Sequence, residues 1–274
     1  MRRSIKLPAL WPAARLLPIV GPMRRAALVL ALTLAASVAH AGETRCWFEN
    51  GAVVVPAAFG DIAGDFILDA SAPVSQLHVT TAETFGVDGT AMTARLRLAG
   101  ERSAPMRLPI VDLDARARPF ATTIVGVIGI DALRPYAIEV TTDPCRVRLL
   151  RRATHADGRR LRVRMIGGVP AVKAAVSDGM TSRAGWFTIN TGEAATRVAD
   201  AHLSRTPAPG TDPPVRLRAL SVAGQLFEQT SGGVVAEPRP GLAGTIGMAV
   251  WSRYRLRLDV KEGWMEVDAP GPNP

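Results

Sequence analysis

Two polar side chains, Asp69 and Asn190, follow apolar stretches in settings where they could take part in chemistry. Asp69 comes after residues 66–68 (FIL) and before two small residues, and Asn190 comes after residues 187–189 (FTI) and before Thr191 and Gly192. A carboxylate can act as an acid or a base near the pH at which it titrates, whereas an amide neither takes nor gives a proton there. The two settings match each other, but only Asp69 offers acid–base chemistry.

The match extends to a repeat that runs along the chain. Residues 64–71 (GDFILDAS) align with 185–192 (GWFTINTG), and residues 126–130 (GVIGI) align with 244–248 (GTIGM) in the same order. Two blocks in one order indicate an internal duplication. We expect a first lobe over 42–150, a charged linker over 151–160 (RRATHADGRR) and a second lobe over 161–274.

Both halves read as short strands separated by turns. Apolar residues alternate with arginines over 94–98, 161–165 and 215–219, and with two arginines and an aspartate over 255–260. The 25 glycines and 21 prolines are spread along the chain. Helical periodicity is confined to 82–85, 130–134 and 248–254. This pattern predicts a mostly β protein with two barrel-like lobes.

The order of these blocks resembles the aspartic proteases, in particular two-lobed bacterial retropepsin-like members. Each lobe of that family supplies an Asp-Thr-Gly turn after a strand and a later Ile-Gly segment that braces the turn. The resemblance implies a bilobed β-barrel fold with pseudo-twofold symmetry and a cleft between the lobes. It places Asp69 and Asn190 at the catalytic positions, and Ala70, Ser71, Thr191 and Gly192 in the cleft lining.

The departures from the family pattern bear on activity. Two neighbouring carboxylates share one proton, so that one acts as base and the other as acid. Asn190 lacks the carboxylate, while Ala70 and Ser71 replace the Thr and Gly of the first turn. Glu193 is the nearest substitute acid, but a turn that points Asn190 inward would direct Glu193 elsewhere. Asp131, in the first brace, is expected to be structural.

Other kinds of site find little support in the sequence. His78, His155 and His202 are scattered, and no Cys-x-x-Cys or His-x-x-x-His spacing occurs, so we expect neither metal nor cofactor. His78 is predicted to lie on the surface, and residues 231–233 (SGG) to form a hairpin turn or a mobile tip over the cleft. With 5% aromatic residues, the arginine-rich strands are expected to be solvated faces that do not bind nucleic acid.

The N-terminal residues have the form of an export signal. Met23 precedes two arginines, an apolar run of eleven residues over 26–36, and the small residues Ala39 and Ala41 at the cleavage positions. The run is too short to span a bilayer, which needs about 20 apolar residues. We expect a signal peptide over 1–41 with its functional start at Met23, no membrane anchor after cleavage, and a periplasmic or secreted product.

The basic balance of the chain belongs largely to that segment. Six of the 33 basic residues precede residue 26 with no acid among them, which leaves 27 basic residues against 24 acidic ones. The overall charge of +9 is therefore weak support for a polyanionic partner.

The two cysteines, Cys46 and Cys145, lie in the expected mature part. Export would place them in an oxidising compartment, where a disulfide between them is favoured over two separate buried thiols.

Two functions stay open at this stage. The first is a non-catalytic, monomeric protein that binds an extended peptide or a protein partner in the cleft by strand addition. The second is a peptide hydrolase that works through Asp69 with weak or unusual activity.

Overall fold

A computed structural model describes residues 42–151, 158–199, 215–235 and 239–268. The predicted signal peptide lies outside these residues, as does most of the predicted linker. Within the described part, no helix has the length and apolar character needed to cross a bilayer.

Short strands dominate both halves of the chain, as the alternating pattern predicted. The strands before residue 151 are β1 (Glu43–Arg45), β2 (Trp47–Glu49), β3 (Ala52–Phe59), β4 (Ile62–Leu68), β5 (Gln76–His78), β6 (Ala91–Ala94), β7 (Leu96–Leu98), β8 (Glu101–Arg102), β9 (Met106–Val111), β10 (Ile124–Ile128), β11 (Ala137–Thr142) and β12 (Cys145–Leu150). The described strands after it are β13 (Arg159–Arg162), β14 (Arg164–Ile166), β15 (Val169–Ser177), β16 (Ser182–Ile189), β17 (Thr196–Ala199), β18 (Val215–Val222), β19 (Gln225–Val235), β20 (Gly244–Ile246), β21 (Arg255–Asp259) and β22 (Trp264–Asp268).

The described helices are all short. They are α1 (Val79–Thr84), α2 (Asp114–Ala117), α3 (Ile130–Leu133) and α4 (Met248–Trp251). Three of them fall where helical periodicity predicted them, and α2 was not predicted. The segment 231–233 is not a turn but part of β19, which pairs in parallel with β17. A side chain at Gly232 would come within 2.6 Å of the Thr196 carbonyl oxygen, so the glycine permits this close pairing.

Each half builds one curved sheet with the same internal pattern. In the first-lobe sheet, β4 pairs in parallel with β10, whose other neighbour β5 is antiparallel to it and parallel to β9. In the second-lobe sheet, β16, β20, β17 and β19 repeat these directions. The predicted bilobed, mostly β architecture with internal duplication is therefore confirmed.

A third sheet joins the two halves in the order β1-β12-β11-β21-β22-β13, and we call it the interlobe sheet. At its centre Glu139 of β11 lies opposite Arg257 of β21. Both side chains are buried, and Arg257 Nη2 lies 2.5 Å from Glu139 Oε2. The interlobe sheet thus links the lobes through backbone pairing and one buried ion pair.

A disulfide joins Cys46 to Cys145, as predicted, with a Cα–Cα distance of 5.0 Å and a sequence separation of 99. The backbone N–H of Cys46 also donates to the Cys145 carbonyl oxygen over 3.2 Å. The bond ties the segment between β1 and β2 to the start of β12. Disulfides of this kind are typical of proteins from oxidising compartments.

We predict that replacing both cysteines with alanine lowers the free energy of unfolding by about 2–5 kcal/mol, because the unfolded chain loses a long covalent loop. Urea unfolding of the oxidised protein and of the double variant measures this difference. Thiol titration of the unfolded, unreduced protein is the control, and two free thiols would contradict the prediction.

Candidate functional site

Asp69 and Asn190 occupy equivalent positions at the ends of β4 and β16. The Asp69 N–H donates to the Ile128 carbonyl oxygen over 2.9 Å, and the Asn190 N–H donates to that of Ile246 over 3.0 Å. Each residue therefore leaves its strand beside the last residue of the parallel neighbour. Since both residues are buried, at 3% and 6% exposed, the sequence repeat corresponds to a repeat of position and environment.

The two Ile-Gly segments hold the turns in the same way. The Ile130 N–H donates to the Ala72 carbonyl oxygen, and the Met248 N–H to that of Glu193, each over 2.8 Å. A side chain on Gly247 would come within 2.4 Å of the Ala194 carbonyl oxygen, and Gly129 is similarly crowded. Only glycine fits where the brace meets the turn.

Thr191 connects the two turns across the junction between the lobes. Its hydroxyl donates to the Leu68 carbonyl oxygen over 2.7 Å and accepts from the Ala70 N–H over 2.9 Å. Ala70 has no hydroxyl with which to make the reciprocal bonds. Of the two turns, only the second therefore supplies a threonine that bridges the junction.

Both oxygens of the Asp69 carboxylate have partners. Oδ1 accepts from the Ser71 N–H over 2.7 Å and from the Ser71 hydroxyl over 2.6 Å. Oδ2 lies 2.5 Å from Nη2 of Arg116, a residue of α2. Sequence analysis missed Arg116, because an ion pair across 47 residues leaves no local pattern.

Asn190 is held within its own lobe. Its Oδ1 accepts from the Gly192 N–H over 2.9 Å, in the same way that Asp69 Oδ1 accepts from residue 71. Its Nδ2 donates to Glu193 Oε2 over 3.4 Å, while Glu193 Oε1 lies 2.6 Å from Arg197 Nε. Glu193 is thus paired with Arg197 and contacts the amide and not Asp69.

The turns meet at a cavity of about 870 Å³ between the lobes. A Cβ on Gly192 would lie 2.7 Å from Asp69 Cγ, so the second turn packs directly on the first carboxylate. Of the predicted residues, Asp69, Ser71, Asn190 and Gly192 line this cavity. Ala70 and Thr191 differ from the prediction: they are buried behind the lining, where they bond across the junction. Three arginines that were not predicted also line the cavity: Arg116, Arg197 and Arg239.

The segment that carries Arg116 is anchored at both of its ends. At the first residue of α2, His78 Nε2 lies 3.1 Å from Asp114 Oδ1. After it, the Glu49 carboxylate accepts from the Ala121 N–H and from the N–H and hydroxyl of Thr122. The Thr122 hydrogen bonds lower the pKa of Glu49. These anchors position the guanidinium over Asp69.

His78 and Asp131 have structural roles in the first lobe. The predicted surface position of His78 is wrong, because the residue is buried. Its Nδ1 accepts a hydrogen bond from the Thr80 N–H at the start of α1, which holds the ring against the lobe. Asp131 Oδ1 accepts from the N–H and the hydroxyl of Ser75, whose hydroxyl in turn accepts from the Gly129 N–H. Asp131 therefore supports the brace, as expected.

One group of side chains in the described part has the composition of a metal site. His78, Asp112 and Asp114 each bring one possible ligand atom to within 4.8 Å of the others. Metal-bound histidines usually donate a hydrogen bond from the second ring nitrogen, whereas Nδ1 of His78 accepts one. With Nδ1 as the acceptor, the proton of the neutral ring lies on Nε2, which faces the Asp114 carboxylate. The three side chains are therefore better explained as contacts that hold α2 in place than as metal ligands.

The chain was compared with known proteins. No protein-family model and no curated protein sequence matches it. Among solved structures, it is similar to the aspartic proteinase from Irpex lacteus at a TM-score of 0.51 and 12% sequence identity. The match covers 84% of this chain and 97% of that one. At this identity, the similarity shows the fold, which is that of a pepsin-like aspartic proteinase.

We predict that Thr191→Val lowers the free energy of unfolding by about 1–3 kcal/mol, because it leaves a buried carbonyl and a buried N–H without partners. Thr84→Val is the matched control, since that hydroxyl donates to the Thr80 carbonyl oxygen on an exposed helix. Urea unfolding measures both variants. An equal, small effect of the two would show that Thr191 does not brace the junction.

Proposed function

We propose that this protein is an exported, non-catalytic relative of the aspartic proteases that binds an extended peptide in the cleft between its lobes. The observation that carries the proposal is the Asp69 carboxylate, which is paired with Arg116. The position equivalent to Asp69 in the second lobe is Asn190, which has no carboxylate.

The contacts of the site oppose the usual chemistry of the fold. That chemistry needs two carboxylates that share a proton and hold a water between them. Here one position is an amide, and both oxygens of Asp69 already accept hydrogen bonds from Ser71 and Arg116. Glu193 offers no replacement dyad, because its carboxylate is paired with Arg197.

The cleft itself is retained, which supports a binding role. Its volume of about 870 Å³ lies within the range of ligand-binding clefts. Residues of both lobes line the cleft, and an extended peptide lying there would contact both halves of the chain. Export is supported by the N-terminal sequence and by the disulfide between Cys46 and Cys145. We infer a periplasmic or secreted protein.

A second candidate function is peptide hydrolysis through Asp69. It is favoured by one observation: the braces, the Thr191 bridge and the carboxylate itself all survive at the junction of the lobes.

For the binding function, we predict that Ala115→Trp abolishes capture of peptides from a synthetic random decapeptide mixture. Ala115 is exposed on α2 and lines the cleft, so an indole there would obstruct the cleft without entering the core. Ala104→Trp is the matched control, because that residue is exposed and outside the cleft lining. Mass spectrometry identifies the captured peptides. No capture by the wild type, or equal capture by both variants, would refute cleft binding.

For catalysis, we predict that the wild type does not hydrolyse peptides between pH 3 and 7. The triple change Asn190→Asp, Ala70→Thr and Ser71→Gly gives both turns the family sequence, but the Asp69 carboxylate would still be paired with Arg116. We therefore expect activity at acidic pH only when Arg116→Ala is added, falling as the second carboxylate ionises.

Peptide hydrolysis is measured for the wild type and for the triple and quadruple variants, with folding checked by circular dichroism. Wild-type activity that is lost in Asp69→Ala would establish the hydrolase and overturn the non-catalytic proposal.

A further inference from the structure

The cleft carries an excess of positive charge in the described part of the chain. Five ionisable side chains line it, two acids and three arginines: Asp69, Glu193, Arg116, Arg197 and Arg239. Three arginines against two acids leave these side chains with a formal charge of +1.

Two of the arginines have acidic partners within the cleft. Arg116 Nη2 lies 2.5 Å from Asp69, and Arg197 Nε lies 2.6 Å from Glu193. Arg239 differs, because its Nη1 donates to the Ser71 carbonyl oxygen over 3.4 Å and no described carboxylate contacts it. A guanidinium has five N–H donors, so most of the hydrogen-bonding capacity of Arg239 is left for a ligand.

The aliphatic part of the Arg239 side chain packs against the second lobe, and its guanidinium extends across the cleft to the first lobe. Gly167, in the turn between β14 and β15, has a φ of +57°, and a Cβ there would lie 3.3 Å from Arg239 Cδ. The adjacent Gly168 approaches Pro73 of the first lobe. The guanidinium therefore comes from the second lobe and meets Ser71, the residue that caps Asp69.

We propose that Arg239 binds a carboxylate of the peptide ligand, from an acidic side chain or from the C-terminus. This inference rests on the proposed function. A guanidinium pairs with a carboxylate through short, charge-assisted hydrogen bonds that fix orientation as well as add affinity. The cleft then selects acidic ligands, because a basic side chain beside Arg239 would be repelled.

The test starts from peptides that the wild type captures from the random decapeptide mixture. Each is resynthesised in three forms: the parent, a form with Glu and Asp replaced by Gln and Asn, and a C-terminal amide. Isothermal titration calorimetry measures their dissociation constants. We expect the parent to bind at least about tenfold more tightly than one of the two neutralised forms, and that form identifies the source of the carboxylate.

Three variants assign the effect to one side chain. Arg239→Gln should abolish the preference for the parent and leave binding of the neutralised form unchanged, while Arg239→Lys should keep part of it. Arg255→Gln removes the same charge from an exposed position on β21 outside the cleft lining, and should keep the full preference.

The outcomes separate the two proposals. If no peptide is captured, the peptide-binding function fails and this inference fails with it. If peptides bind but the neutralised forms bind equally well, or the preference persists in Arg239→Gln, the carboxylate inference alone is overturned.

Discussion

A residue on the pseudo-twofold axis faces its own counterpart, and this constraint governs the centre of the molecule. Glu139 and Arg257 are equivalent positions of the two halves, and they lie directly opposite each other in the interlobe sheet. A strict repeat would bury two identical charges here, which is unfavourable at any short distance. Glu139 and Arg257 carry opposite charges, so they attract each other at this position. Breaking such a buried ion pair typically costs about 3–5 kcal/mol of folding free energy. The duplication therefore has to be imperfect where the lobes meet.

The same constraint applies at the cleft, where the two turns also face each other. In the family that the sequence resembles, the conflict between two carboxylates is resolved by a shared proton. Here residue 190 is an asparagine, so two carboxylates do not face each other at this pair of positions, and Asp69 pairs with Arg116 of α2. Thr191 still bridges the lobes, so the architecture does not depend on the carboxylate pair.

The sequence predicted features that repeat or that follow a local pattern. The duplicated blocks placed Asp69 and Asn190 at equivalent strand ends, and alternation gave most of the strands. What it could not provide were contacts between distant segments. Arg116 belongs to a four-residue helix with no periodicity, and it reaches Asp69 only after folding. Arg239 likewise enters the cleft because Gly167 leaves room for its stem, which a linear pattern does not express.

The departures at the first turn are connected to each other by the burial of Asp69. A carboxylate on a side chain that is 5% exposed requires several donors in place of water. A glycine at position 71 would offer one N–H, whereas Ser71 offers its N–H and its hydroxyl, and Arg116 supplies a third donor. Beside the amide of Asn190, these donors make the Asp69 carboxylate an acceptor that fastens α2 to the turn. Ser71 and Arg116, which lie far apart in the sequence, are therefore linked by their contacts with one buried carboxylate.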